Sequence, residues 1–119
     1  MMWPARRWAL ALLMAFAMGA QAAEPMPSPA GAAHLKAERV RIERAFVDEV
    51  VGIAGASAAQ VRRGIPDGPR ITDTGRRVIE SLEHQIGRPL SDDQRAAIQA
   101  ADARREAALA RARAEAARR

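Results

Sequence analysis

Two histidine–carboxylate pairs are the first place in this chain where chemistry could reside. His34 with Glu38, and Glu80 with His84, are each spaced i, i+4, which places both members of a pair on one helix face. Such a pair can donate two ligands to a metal ion. Neither has an evident third ligand, and neither matches the His-Glu-x-x-His arrangement. A solvated polar face is the plainer reading, and periplasmic metal handling is the outer alternative. The serines offer less. Ser28 lies in a proline-rich stretch, Ser57 and Ser91 stand where helix caps stand, and Ser81 falls within a helical pattern. None is matched with a histidine and an orienting acid, as an activated nucleophile requires. Asp92 and Asp93 are adjacent at a helix start, where carboxylates complement the helix dipole and point in different directions. The expectation is a protein with no catalytic residue, no resident metal and no cofactor.

The chain has 119 residues and no cysteine, which removes disulfides, thiolate catalysis and zinc–thiolate sites. Its start has the pattern of a secretory signal: Arg6 and Arg7, an uncharged apolar run over residues 8–20, then Ala20-Gln21-Ala22. A permanent span needs about 20 apolar residues, so cleavage after Ala22 is expected, with an inner-membrane anchor as the alternative. The organisation that follows is 1–22 signal peptide, 23–33 flexible leader rich in proline, and 34–119 α-helical domain. Such a protein is periplasmic or secreted. After residue 22 the chain carries 17 basic and 14 acidic side chains. Phe46 is the only aromatic left there, which argues against sugar stacking and against single-strand nucleic-acid platforms. No nucleic-acid partner is expected.

The elements that must position these residues read as three helices. The first runs from Ala32 to Ile53, with Leu35, Ile42, Phe46, Val50 and Ile53 in one apolar row and Val40, Val47 and Val51 in a second beside it. Ser57 can cap a short continuation through Arg63. Gly64 to Arg70 contains two prolines and two glycines and reads as a turn. A second helix covers 73–86 on the stripe of Val78, Ile79, Leu82 and Ile86. A third covers 92–118. The last two form a hairpin, with the second helix packed on the first. From Ala96 onward only Ile98 and Leu109 are large and apolar, so the far half of the third helix is expected to project or fray. The fold class is all-α, and a core this thin predicts self-association, with Val40, Val47 and Val51 covered by a second copy.

The turn into the third helix is the most ordered local pattern. Gly87 suits the left-handed position after a helix, Pro89 follows it, Ser91 is the N-cap and Gln94 occupies N3 of a capping box. Leu90-Ser91-Asp92-Asp93-Gln94 resembles the Leu-Thr-x-x-Gln signature of small periplasmic proteins of the Spy/CpxP-like family, with Ser in place of Thr. The resemblance covers about residues 86–110. That family normally has two copies; here the second candidate is Ile71-Thr72-Asp73-Thr74-Gly75, with Gly in place of Gln. The resemblance implies an all-helical protein that holds unfolded clients or serves envelope stress. The arginine-rich end, with Arg104, Arg105, Arg111 and Arg113, supplies the alternative: an accessory subunit of an envelope complex, or a binder of anionic lipid.

Overall fold

The computed structural model describes residues 26–68 and 72–119, and all of its regular structure is helical. The signal peptide expected over residues 1–22 lies outside the described residues. Four helices follow in order: α1 (Pro29–Ala54), α2 (Ala58–Gly64), α3 (Thr74–Ile86) and α4 (Asp92–Ala116). None of the helices among the described residues is long and apolar enough to cross a membrane.

Helix α1 begins three residues earlier than the periodicity predicts, inside the segment read as leader. Ser28 accepts the Gly31 N–H at 3.1 Å, and Pro29 stands in the first turn, where its missing N–H costs nothing. Gly31 is buried, and a Cβ there would collide with the carbonyl oxygen of Ala116. The residues 29–33 assigned to a flexible leader therefore belong to the packed helix. At its other end α1 stops at Gly55, whose left-handed φ of 66° turns its N–H to the Val51 carbonyl.

Helix α4 lies antiparallel along α1 for nearly its whole length. Ser28 Oγ donates to the Arg119 carbonyl (2.6 Å), His34 meets Glu115, Glu49 meets Arg104, and Gln94 reaches the Ile53 carbonyl. This corrects the expectation of a projecting C-terminal half. Alanine has little surface to bury, but its small side chain lets two backbones approach closely. Ala101, Ala112 and Ala116 are buried against α1 together with Ile98. Two helices of 26 and 25 residues thus form a pair about 38 Å long.

The short helices α2 and α3 sit at one end of that pair. α2 packs on α1 and α3, and α3 packs on α2 and α4. The hairpin of α3 and α4 is present, but α4 has α1 as its main neighbour. The 73–86 helix shares its core with α1, as expected, but makes no close backbone approach to it; its close backbone neighbours are α2 and α4. The core gathers at this end: Phe46, Val47 and Val50 from α1, Val61 from α2, Val78, Ile79 and Leu82 from α3, Leu90 from the turn and Ile98 from α4. The molecule is a four-helix head with a two-helix stalk formed by the start of α1 and the end of α4.

Candidate functional site

The Leu90–Gln94 turn is tied into the head through Leu90 and Gln94, while Ser91, Asp92 and Asp93 are exposed. Leu90 is 3% exposed in the core. Ser91 Oγ accepts the Gln94 N–H at 3.1 Å, and Gln94 Oε1 accepts the Ser91 N–H at 2.9 Å, completing the capping box. The Gln94 amide then donates to the Ile53 carbonyl at 3.1 Å, tying the end of α1 to the start of α4. Glu83 on α3 accepts the Leu90 N–H at 2.8 Å and the Arg95 guanidinium at 2.6 Å. These two bonds, the arginine first, hold the Glu83 carboxyl below the ordinary carboxylate range.

The degenerate copy at Ile71–Gly75 does not form a capping box. Of Ile71–Gly75, Ile71 lies outside the described residues, and Asp73 occupies the N-cap of α3 at a left-handed φ of 60° with no side-chain capping bond. The cap comes instead from α4. Asp102, 6% exposed, accepts the Gly75 N–H at 3.1 Å and the Arg105 Nε–H at 2.9 Å. A Cβ at position 75 would lie 2.8 Å from Gln99 Oε1 and 3.1 Å from Asp102 Cβ, so glycine stands there because α4 comes this close. The true second Ser-x-x-Gln capping box is Ser57–Gln60, behind the buried Ala56. Its signal was in the sequence: a glycine stop at Gly55, one apolar residue, then Ser with Gln three residues on.

The histidine pairs separate. His34 Nε2 sits 3.0 Å from Glu115 on α4, while Glu38 is bonded to Arg41. Glu80 pairs with Arg76, and His84 is exposed. No three histidine or carboxylate side chains converge among the described residues. The valine row also divides. Val47 is fully buried within the chain's own core, Val51 is half-buried against it, and Val40 alone is exposed, at 53%. A second copy cannot cover Val47, because α4 and the head already do.

The arginines separate in the same way. Arg104 is held by Glu49, and Arg105 by Asp102, with its guanidinium 5.6 Å from the centre of the Phe46 ring. These two belong to the architecture of the interface. Arg111 and Arg113 are exposed and make no ion pair among the described residues.

The α1/α4 pair is a ladder whose rungs are complementary: hydroxyl to carbonyl at 28 and 119, imidazole to carboxylate at 34 and 115, carboxylate to guanidinium at 49 and 104, amide to carbonyl at 94 and 53. Between the second and third rungs, that register brings Arg39 within a turn of Arg111 and Arg113. Arg39 and Arg113 line the same two grooves, and Arg39 also has no ion pair among the described residues. One groove, about 660 Å³, also carries Glu43 and Glu106. The other, about 370 Å³, is lined by Pro27, Leu35, Ala110, Ala114 and the two arginines, with no acid. Sequence reading named Arg113 but missed Arg39, which gains its meaning only from the antiparallel register.

Charge follows the same division. Residues 26–44 and 104–119, the stalk, hold ten basic and four acidic side chains; residues 45–103 hold seven and nine. The chain matches no family model, no curated protein and no solved structure.

Proposed function

We propose that this chain is an exported, non-enzymatic protein of the bacterial envelope that works by binding an anionic component through the basic end of its α1/α4 stalk. The observation that carries this reading is the like-charged rung. Two guanidiniums on facing helices repel each other, and an acid at either position would join the ladder of complementary rungs. Arg39 and Arg113 instead stand exposed, without an ion pair among the described residues, between a groove that carries Glu43 and Glu106 and a groove without an acid. Clustered like charge of this kind stabilises an incoming partner of opposite sign and speeds its encounter. Export is supported by the pattern of residues 1–22, and the absence of a catalytic constellation in the sequence favours a binding role.

A chaperone-like hold on unfolded clients draws less support. Among the described residues the exposed large apolar side chains are Met26 and Val40, which do not make a broad client face. Leu90, Ser91 and Gln94 serve the head's own packing and capping, while Asp92 and Asp93 are exposed, so the envelope-stress resemblance rests on the motif alone.

The test is binding to poly-glutamate at increasing salt. The chain should bind, release as salt rises, and lose affinity when Arg39 and Arg113 are both changed to Glu. Changing Arg62 and Arg63 on α2 to Glu should have little effect. Equal losses from the two double variants would remove the basic end as the site.

A further inference from the structure

The 370 Å³ groove of the stalk combines two features that a purely electrostatic surface does not need. Its floor is apolar: Leu35, Pro27, Ala110 and Ala114, with Ala116 and Ala117 at the tip. Its only charged lining residues are Arg39 and Arg113. The volume, about 370 Å³, is at the lower end of small-ligand sites and is sufficient for an extended apolar chain. Met26, 92% exposed, leads into the same end of the molecule. The first described residue and the last, Arg119, both lie at this tip, because Ser28 Oγ donates to the Arg119 carbonyl. Arg118 and Arg119 add two exposed cations there.

From this we infer that the stalk tip docks on an anionic lipid surface, with an acyl chain lying against Leu35 and Ala110 and the lipid's anionic headgroup held between Arg39 and Arg113. Charge complementarity selects the lipid class. Basic residues close to an anionic membrane each add attraction, whereas the acidic head is repelled. The molecule therefore stands with the stalk on the membrane and the α2/α3 head directed away. The neighbouring 660 Å³ groove does not take part, since Glu43 and Glu106 in its wall oppose an anion. This inference rests on the basic-end reading above and adds the identity of the partner.

The experiment is co-sedimentation of residues 23–119 with vesicles. That span holds every described helix and the whole described core, and it leaves out the apolar run over 8–20, which could enter a bilayer by itself. Vesicles of phosphatidylglycerol and phosphatidylcholine are compared with phosphatidylcholine alone, and with poly-glutamate as a lipid-free polyanion. Binding should need phosphatidylglycerol. It should fall by about tenfold or more in Arg39→Glu/Arg113→Glu, fall also in Ala110→Gln, which fills the groove without adding charge, and be retained in Arg62→Glu/Arg63→Glu. Circular dichroism checks that each variant is folded. Indifference to Ala110→Gln, or equal loss from the α2 variant, overturns the groove. Binding of poly-glutamate that depends on Arg39 and Arg113, without vesicle binding, overturns the lipid and leaves the basic-end reading standing. Binding to neither overturns both.

Discussion

The side-chain amide of Gln94 bonds to the backbone carbonyl of Ile53 across 3.1 Å while its oxygen closes the capping box on Ser91. One residue therefore starts α4 and fastens it to the end of α1, and the capping residue is also a tertiary clamp.

The two roles separate by mutation. Ser91→Ala removes one cap bond and should cost about 1 kcal/mol. Gln94→Ala removes the return bond of the box and the Ile53 bond together, and should cost about 2 kcal/mol, at 0.5–1.5 for each bond. Ser57→Ala, in the second box, should match Ser91→Ala. Urea unfolding monitored by circular dichroism measures all three. A Gln94→Ala loss no larger than that of Ser91→Ala would show that the Ile53 bond adds nothing.

Acid should loosen the same turn. The Arg95 guanidinium and the Leu90 N–H lower the Glu83 carboxyl below its ordinary value of 4.5. A carboxyl lowered on folding binds fewer protons folded than unfolded, so its stabilisation is complete above that ordinary value and is lost as pH falls through the lowered one. Glu38, lowered by Arg41, acts in the same direction; both carboxylates are partly covered, and solvent screening keeps their effects small. The urea midpoint should fall below pH 4.5, and Glu83→Gln should flatten that part of the profile while leaving Arg95 without its partner at neutral pH. A profile in Glu83→Gln that parallels the wild type would place the acid sensitivity elsewhere.

Asp102 is the cap that α3 lacks in its own sequence. Its carboxylate is 9% exposed and accepts from Gly75 and Arg105. Asp102→Ala should cost about 2–3 kcal/mol, because a hydrogen bond to a charged group is lost and the buried Gly75 N–H is left unpaired. Asp102→Asn, which keeps an acceptor for Gly75, should cost less. Hydrogen exchange should show the loss first at the α3 N-terminus. Uniform loss over the whole chain would point to a general packing defect instead.

What was legible in the sequence was local. Gly87, Pro89, Ser91 and Gln94 marked their turn because capping is decided within a few residues. The apolar stripes of 42–53 and 78–86 marked their helices for the same reason. The errors are nonlocal. An alanine-rich segment has a weak hydrophobic pattern of its own, so nothing in 99–116 announced that Gly31 would let α1 approach Ala116. Gly75 looked like a missing Gln in a repeat, whereas its meaning depends on Asp102, 27 residues away. Within the candidate site Arg113 was readable as part of a basic run. Arg39 was not, because its like-charged neighbour is set by the register of two helices whose contact the sequence did not reveal.

The stalk makes the last prediction. Its tip is held by the fit of Gly31 against Ala116, by Ser28 on the Arg119 carbonyl and by His34 on Glu115. Gly31→Leu places a side chain where the Ala116 carbonyl lies, so one helix must shift. Overpacking of this kind costs about 1–3 kcal/mol. The cost should be local, because the core cluster runs from Phe46 to Ala101 and does not include the tip. Amides of 30–38 and 110–119 should exchange faster in Gly31→Leu, while those of 46–54 and 78–86 keep their protection. The groove beside Leu35 is formed by the same two helices, so its ligand affinity should fall with the tip. If the tip amides keep wild-type protection in Gly31→Leu, the stalk is not zipped at Gly31 and the groove is not rigidly formed.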